Sequence, residues 1–451
     1  MSKNEDLKEK LQKNCDSFFQ SEDEEKVAKE LKDNLEKFFK VIKDKYGKDF
    51  HLNHGANKFL KEFSPWHQER GEKLIEDFVE IVNQNSTEDF SWLDILEKDE
   101  QWKKSWENSN EEVKIKEEVT DKNKHVNMRY QIPTHFHGDI DNAVIFHCME
   151  NPRGYLGDWE DDQIDEEFAG ASLEEFYIKS ARKREEESKT IKDIIEERYQ
   201  LQDVSSNSIT KIIHSYTSPL ARELYIMFNK FEESANKTYD FSKDNSDLKD
   251  YYYFRNYYKE LLIGNDKNLE LFIKQENKDK AFERAEKICN LEIYPFSCKN
   301  PKLDDDGIGK KILLNSDLSR LGAYIVLRRI YRYLEECEKS EEKPQKPVFI
   351  FRKYDRAWEK LFKFIFKEAK KEKNNYGFQN QKTLKNLEKL FFYRQTRTEG
   401  GGITSGNVIS IKNDKIHKDI FKNLKQTAFK EISDVLRRGD IDKNSSGKSG
   451  V

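Results

Sequence analysis

The chain has 451 residues, which is enough for about three domains. Only 35% of the residues are hydrophobic and 37% are charged, but 12% are aromatic, and an aromatic fraction of this size argues against a disordered chain. The sequence has no apolar run near the ~18 residues that a membrane span needs, and its N-terminus lacks the apolar segment of a signal peptide, so we expect a cytoplasmic protein with no membrane partner.

Residues 1–125 predict a helical N-terminal domain. In Glu24–Tyr46 the apolar residues recur at spacings of three and four, and Trp66–Asn83 shows the same pattern. This is the periodicity of helices that bury one face. We interpret residues 121–140 as a linker into a domain of a different kind.

Short apolar runs bounded by turn residues predict the strands of that second domain. The four predicted strands are Asn142–Met149, Lys287–Tyr294, Pro347–Arg352 and Leu390–Gln395, and a short apolar run, Val408–Ile411, follows the last of them. The helical patterns between and after them are Ser316–Cys337, with Ser316 as N-cap, Tyr354–Lys373 and Lys415–Arg438. Because strands that alternate with helices form parallel sheets covered on both faces, we predict a three-layer α/β/α fold over residues 126–171 and 283–440.

A helical segment interrupts this pattern. Residues 172–282 return to helical periodicity and contain the aromatic stretch Tyr251–Tyr258. We predict that this insertion lies outside the sheet. The tail, residues 441–451, is rich in Ser, Gly and Lys and is predicted to be disordered.

Polar residues stand at the ends of the four main predicted strands. Glu150 and Asn151 follow the first strand, Asn290 lies in the second, Arg352 ends the third and Arg394 lies near the end of the fourth. Ligands of open α/β sheets bind outside the carboxyl ends of the strands. The sequence therefore predicts a functional site where these strand ends converge.

The first strand runs into Asn-Pro-Arg-Gly at positions 151–154. This resembles the first motif of the uracil-DNA glycosylase superfamily, whose mismatch-specific branch reads Gly-Ile-Asn-Pro-Gly. The order of elements is also similar from Asp139 to Arg438, apart from the insertion. The resemblance implies a divergent DNA glycosylase, a hydrolase that excises a base from DNA, with a role in defence against foreign DNA. The inserted Arg153, and the lack of His-Pro-Ser after the fourth strand, point to a base other than uracil, such as a modified one.

Breaking an N-glycosidic bond needs a positioned water and donors for the leaving base. By the resemblance Asn151 orients the water, and the carboxylates Glu150 and Asp158 are the alternatives. The residues implied to bind the base are Pro152, Gly154, Tyr155, which stacks on a flipped base, and Asn290, which reads its edge. The residues implied to bind DNA are Arg352, Lys353, Arg394, Arg397, Gly401 and Ile403, the last as the apolar wedge of an intercalating loop. Neither a metal nor another cofactor is implied.

The segment Lys343–Arg397 is strongly basic within an acidic chain. It holds 16 Lys and Arg against 5 Asp and Glu, a net charge of +11, whereas the whole chain carries −5. It also holds eight Phe, three Tyr and one Trp. Because cations neutralise phosphates and aromatic rings stack on bases, we predict that this segment forms the DNA-facing surface.

Two other functions remain open. His135, His137 and His147 lie close together in the sequence, which is compatible with the metal site of a nuclease. The chain can also be a non-catalytic module that keeps only the fold and binds nucleic acid or protein. Each motif has a structural interpretation as well, because an Asn-Pro pair often closes a turn and a charged run is often a solvated face.

Overall fold

The computed structural model describes about two thirds of the chain. The described residues are 23–84, 90–92, 94–97, 131–152, 189–232, 247–264, 269–274, 277–296, 301, 303, 308–340, 344–396, 401–414 and 420–438. Within them no helix combines the length and the apolar character that a membrane span requires.

The N-terminal segment is helical, as its periodicity predicts. Its helices are α1 (Asp23–Tyr46), α2 (Ala56–Phe63), α3 (Glu69–Asn83) and α4 (Asp94–Glu97). The second predicted helix begins three residues later than expected, because Pro65–His67 form a separate 3-10 turn.

Within the described residues the sheet has seven strands. They are β1 (Phe136–His137), β2 (Ile145–Met149), β3 (His214–Ser215), β4 (Ile288–Glu292), β5 (Val348–Phe351), β6 (Phe392–Gln395) and β7 (Val408–Ser410), in the spatial order β3-β1-β4-β2-β5-β6-β7. All four predicted strands are present, with shorter bounds, and β7 lies in the short apolar run Val408–Ile411.

The sheet is mixed, which corrects the prediction of a purely parallel sheet. The four central strands β4, β2, β5 and β6 run parallel, whereas β1 is antiparallel to β4 and β7 is antiparallel to β6. The chain between β6 and β7 spans residues 396–407 and has no helix among its described residues, whereas a parallel crossover usually contains one. A return of this kind to the neighbouring position is typically antiparallel.

The inserted segment supplies helices and one strand. Its helical elements are α5 (Ile191–Tyr199), α6 (Ser206–Ile213), α7 (Pro219–Glu232), the π-helix Phe254–Tyr258, α8 (Lys259–Ile263), α9 (Leu269–Phe272) and α10 (Lys278–Glu286). Strand β3 pairs in parallel with β1, so the prediction that residues 172–282 lie wholly outside the sheet is wrong. This strand has two residues, which is too short to give a periodic signal.

Five more helices follow β4 in the described part of the chain. They are α11 (Ile308–Asn315), α12 (Asp317–Lys339), α13 (Trp358–Lys371) and α14 (Asn380–Leu390), and α15 (Phe421–Arg437) ends the described chain. The predicted N-cap of α12 is present, since the Ser316 hydroxyl accepts a hydrogen bond from the Leu318 N–H at 3.1 Å. A Ser side chain in this position satisfies a backbone donor that has no partner inside the helix.

Each face of the sheet is covered by its own hydrophobic core. Phe146 and Phe349 face a core shared with the N-terminal helices, where Phe38 packs on Tyr324 of α12. Ile145 and Ile350 face a second core built from the inserted helices and α15. Burial on both faces explains why the central strands are continuous apolar runs.

Candidate functional site at the carboxyl ends of the central strands

The order of the central strands creates a switch point between β2 and β5. In chain order the four parallel strands lie second, first, third, fourth, so the connections leave β2 in one direction and return past it to β5. In doubly wound sheets the ligand crevice lies outside the carboxyl ends at such a switch point. Glu150 follows β2 here, and Arg352 and Lys353 follow β5.

These three residues form an ion-pair group. The Lys353 Nζ lies 2.6 Å from one carboxylate oxygen of Glu150, and the Arg352 Nε lies 3.8 Å from the other. Glu150 is buried, with 8% of its surface exposed. The sequence predicts that these residues converge, and they do. The two cations, however, are paired with a carboxylate of the protein, which competes with the predicted contact to phosphate.

The backbone of Lys353 is unusual. Its φ is +44°, in the left-handed region that favours glycine. A non-glycine residue held in this conformation costs free energy, and such residues cluster at functional sites. The strain therefore coincides with the switch point.

Glu292 is a second buried carboxyl group in this region, and the sequence analysis did not select it. It ends β4, is 4% exposed and has one carboxyl oxygen without a hydrogen-bond partner among the described residues. Burial raises its pKa well above the usual value, the Arg352 charge opposes that rise, and the Glu150 charge adds to it. The surroundings thus favour a neutral, protonated Glu292 beside an ion-paired Glu150.

A buried hydrogen-bonded row crosses β2 and β4. His147 and Asn290 are paired in register, and Tyr258 from the π-helix bridges them. The Tyr258 hydroxyl donates to the Asn290 carbonyl oxygen and lies 3.0 Å from the His147 Nδ1. Since that hydroxyl has a single hydrogen, Nδ1 must carry a proton and donate to Tyr258. The carbonyl oxygen of Asn290, predicted to read a base, is therefore occupied by Tyr258.

His147 is neutral in this row. Burial lowers its pKa to about 3, the Arg352 charge lowers it further, and an interaction with the Gln395 side chain raises it. A neutral imidazole that donates from Nδ1 orients Tyr258 rather than carrying charge. The hydrogen bonds of this row therefore hold its side chains in place next to the strand ends.

The inserted segment supplies Tyr257 to the same place. An Arg352 N–H donates to the Tyr257 hydroxyl at 3.4 Å, and the Tyr257 ring meets the His147 ring edge-on at 5.4 Å. Single π-helical turns occur frequently at functional sites. The signal for these residues is the stretch Tyr251–Tyr258, which contains five Tyr but was assigned no role. We name the carboxyl-end cluster as the residues that meet here: His147, Glu150, Tyr257, Tyr258, Asn290, Glu292, Arg352 and Lys353.

Asn151 and Pro152 follow the cluster directly. Both are partly buried, and the Asn151 side-chain amide donates to the Pro152 carbonyl oxygen at 3.2 Å. This bond is the turn-closing geometry of the structural interpretation, and it leaves the proposed role in water orientation open. The predicted site residues Gly154, Tyr155, Asp158 and Arg397 lie outside the described residues.

The predicted intercalating loop does not fit that role. Ile403 is fully buried, and its N–H donates to the Tyr257 carbonyl oxygen at 2.8 Å. Gly401 adopts a φ of +102°, and a Cβ on Gly402 would meet the Tyr257 carbonyl oxygen at 2.7 Å. The glycines thus let this loop pack closely on the π-helix, whereas a DNA wedge must be exposed. The prediction for Gly401 and Ile403 is wrong for this conformation.

Arg394 is also engaged within the protein. Its guanidinium lies 2.6 Å from an Asp355 oxygen and 2.7 Å from an Asp414 oxygen. Two carboxylates neutralise more than the single charge of the arginine. Its predicted contact with DNA phosphate would have to displace both.

The aromatic residues of Lys343–Arg397 do not form a base-stacking surface. Most of them are at most 1% exposed: Phe349, Phe351, Trp358, Phe362, Phe366, Phe378, Phe391 and Phe392. Tyr376 is 37% exposed, but its hydroxyl donates to Asp44 and Lys40 covers its ring. The aromatic half of the prediction is therefore wrong, because these rings build the core. The expectation that the lysines and arginines face DNA stays a prediction.

The three clustered histidines are separated by the sheet. His147 belongs to the carboxyl-end cluster, whereas His135 packs against Trp66 and His214 near the sheet edge. Among the described residues no group of three or more His, Cys, Asp or Glu side chains is placed to hold a metal ion. Burial lowers the pKa of His135 to about 3 and that of His137 to about 4, which is the behaviour of neutral core histidines.

A second polar region lies at the opposite end of the central strands. A cleft of about 710 Å³ is lined there by residues that include Asp139, Asp141, Glu286 and Tyr216. The Asp141 carboxylate contacts both Arg328 and Arg332 at 2.6 Å, and it accepts the Ala56 N–H at 2.8 Å. These contacts tie α2 to α12 across the sheet edge.

The carboxyl-end cluster can supply proton transfer. It combines a buried carboxyl group whose pKa is raised by burial, a second carboxyl group in ion pairs with Lys353 and Arg352, and a row of fixed hydrogen-bond donors at one switch point. Pairs of titratable groups whose environments favour opposite protonation states mark the acid and the base of an active site. Comparison with known proteins adds no assignment, because no family model, curated protein or solved structure matches this chain.

Proposed function

We propose that the protein is a DNA glycosylase, a hydrolase that cleaves the N-glycosidic bond between a base and its deoxyribose. The single observation that carries this proposal is the buried carboxyl group of Glu292, whose pKa is raised by burial, next to the ion-paired carboxylate Glu150 at the switch point. Glycosidic bonds are hydrolysed by such a pair, one carboxylic acid and one carboxylate on either side of the reacting carbon. The Asn-Pro resemblance and the order of strands support the same function.

Each group has a defined part in the proposed reaction. Glu292 gives its proton to a nitrogen or oxygen of the leaving base as the bond from the sugar carbon to the base breaks. Glu150 faces the positive charge that develops on the sugar, and Asn151 helps to orient the water that attacks it. The water adds its hydroxyl to the sugar carbon, and its proton restores Glu292. The products are free base and abasic DNA.

The fold supports this placement of the site. A hydrophobic core packs against each face of the sheet, so the proposal assigns the substrate to the ends of the central strands. Membership of the uracil-DNA glycosylase superfamily and DNA as the substrate are part of this proposal.

The direct test is Glu292→Gln in the full-length chain. Gln has the same shape but cannot donate a carboxylic proton, so release of base should fall on the order of 10²-fold or more. The measurement is the formation of abasic sites in DNA that carries diverse modified bases, in the presence of a metal chelator, per amount of folded protein.

Glu286→Gln is the matched control. Burial and the nearby Asp139 also raise the pKa of Glu286, but it lies in the cleft at the other end of the strands. It should release base like the wild type. Full activity of Glu292→Gln would overturn the proposal. Strand cleavage that requires a divalent metal would favour the nuclease, and DNA that is bound but left intact would favour the non-catalytic module.

A further inference from the structure

Tyr252 stands at the outer edge of the carboxyl-end cluster with its ring in solvent. It is 43% exposed, whereas its neighbours Tyr257 and Tyr258 in the same stretch are buried. Large exposed apolar side chains are few among the described residues, and this one is joined to the candidate site. An exposed aromatic ring beside buried catalytic groups is suited to contact a ligand.

The Tyr252 ring is held in one orientation. Its hydroxyl lies 3.0 Å from the Tyr257 hydroxyl, and its ring meets the rings of Tyr253 and Tyr257 edge-on at 5.6 and 5.5 Å. A surface tyrosine usually leaves its hydroxyl in water, but this one is bonded inward. A ligand that stacks on a ring fixed in this way pays little conformational entropy.

The backbone beneath the ring is fastened from two sides. The Glu223 carboxylate on α7 accepts the N–H groups of Tyr253 and Phe254 at 2.9 and 2.8 Å. On the other side, Ile403 donates its N–H to the Tyr257 carbonyl oxygen. The π-helix is therefore a fixed support, and the glycine loop that was expected to enter DNA is part of it.

A continuous series of contacts links the exposed ring to the carboxylates. It runs from Tyr252 to the Tyr257 hydroxyl, from there to Arg352, and from Arg352 to Glu150. A planar group that stacks on Tyr252 would thus sit at the entrance of the site that we propose for glycosidic bond cleavage. The planar group next to such a bond is a nucleobase.

We propose that Tyr252 is the stacking platform of the site and takes a nucleobase of the DNA substrate on its exposed face. This inference rests on the proposed function, because it identifies the ligand from the bond that the site would cleave. Stacking on an aromatic ring tolerates any base, since every base has a flat π-face. The platform therefore contributes affinity for unpaired or extruded bases, and the buried groups would have to supply selectivity.

The test measures binding of a short single-stranded oligonucleotide that carries one fluorescent aminopurine base. The wild-type chain should bind it and quench the aminopurine by stacking. Tyr252→Ala should weaken binding on the order of tenfold and remove most of the quenching, as expected when a base loses its aromatic partner. Tyr252→Phe keeps the ring, so quenching should survive and binding should weaken only about twofold to threefold.

Tyr225→Ala is the matched control. Tyr225 is 57% exposed on α7, and its ring contacts are with Phe282 and Lys278 rather than with the cluster. It should bind and quench like the wild type. Equal losses in Tyr225→Ala and Tyr252→Ala, or unchanged binding in Tyr252→Ala, would overturn the platform.

Two measurements separate this inference from the proposed function. Quenching that depends on Tyr252, in a chain that releases no base from any DNA, would leave the platform standing and overturn the glycosylase. Base release that depends on Glu292 but has the same KM in Tyr252→Ala would do the reverse. A wild-type chain that binds no oligonucleotide overturns the platform.

Discussion

Two carboxylates at opposite ends of the sheet are each held by two cations, and they differ in what surrounds them. Asp141 lies between Arg328 and Arg332, and Glu150 lies between Lys353 and Arg352. In both places two positive charges meet one negative charge in a largely buried setting. The ion pairs alone therefore do not distinguish a functional site from a structural one.

The contacts of Asp141 form a structural network. Its second oxygen accepts the Ala56 N–H, Arg328 is fully buried over the Phe59 ring, and Arg328 also donates to the His54 carbonyl oxygen. All of these contacts connect the N-terminal helices to α12. The charges at this end hold secondary-structure elements together.

The surroundings of Glu150 include a second buried carboxyl group. Glu292 is buried beside it, has one oxygen without a hydrogen-bond partner in the described part of the chain, and has a pKa that is raised by burial. A buried polar group without a partner costs free energy, and a protein keeps such a group when it serves a purpose. A second buried acid beside the ion-paired carboxylate, rather than the density of charge, distinguishes the candidate active site from the Asp141 network.

The largest expected effect is a loss of activity that distinguishes Glu150 from Asp141. Glu150→Gln removes the charge that would stabilise the sugar cation, so base release per folded molecule should fall on the order of 10²-fold or more. Abasic-site formation measures it, with folded protein quantified by circular dichroism. If Glu150→Gln and wild type released base at the same rate, the two ends of the sheet would be equivalent and the comparison would fail.

The next effect concerns stability. Asp141→Ala leaves Arg328 and Arg332 without their shared partner, and breaking a buried ion pair from one side costs about 3–5 kcal/mol of unfolding free energy. Urea denaturation should show this loss, while activity per folded molecule stays near the wild-type value. A stable Asp141→Ala chain with impaired base release would place function at the wrong end of the strands.

The sequence predicts the central strands because they are buried on both faces. A buried strand such as Ile145–Met149 is a continuous apolar run, and its pattern is visible without tertiary information. Strands β1 and β3 have two residues each and depend on their neighbours, so no local pattern announces them. Helix α14 was missed for a different reason, since its 11 residues precede β6 without a turn signal between them.

The candidate site is predictable in part, because some of its residues follow strands whose apolar pattern is visible in the sequence. Glu150, Asn290 and Arg352 stand at the ends of visible strands, and the rule for open sheets brings them together. Tyr257 and Tyr258 reach the site through the packing of the inserted helices, and sequence spacing carries no information about that packing. Glu292 could have been found, because a carboxylate in the apolar run Ile288–Glu292 indicates a buried charge.

A smaller expected effect is the pH dependence of stability that Glu292 causes. Because burial raises the pKa of Glu292 above its usual 4.5, the folded chain keeps a proton that the unfolded chain releases near that pH. The resulting stability is fully present below the unfolded pKa and is lost as the pH rises through the folded pKa. Between those two pKa values, the wild type should lose stability relative to Glu292→Gln by about 1 kcal/mol per pH unit.

Urea denaturation of both chains across this range measures that difference, and base release should fall as the pH rises through the same folded pKa. Parallel stability curves for wild type and Glu292→Gln would mean that Glu292 is ionised in the folded chain, and the contrast with Asp141 would then disappear.

The smallest expected effect concerns Arg394, a third cation that is paired with carboxylates. Arg394 is partly exposed and paired with Asp355 and Asp414, and pairs of this kind contribute about 1 kcal/mol or less. Arg394→Ala should therefore lower stability only slightly and leave the salt dependence of oligonucleotide binding unchanged. A residue that neutralises a phosphate would instead reduce the log–log salt slope by about 1 when removed.

Titrations of wild type and Arg394→Ala at several salt concentrations distinguish the two cases, and Arg394→Lys, which keeps the charge, is the control. A reduced slope in the alanine variant alone would return Arg394 to the DNA-binding surface, because it would mean that DNA displaces both carboxylates.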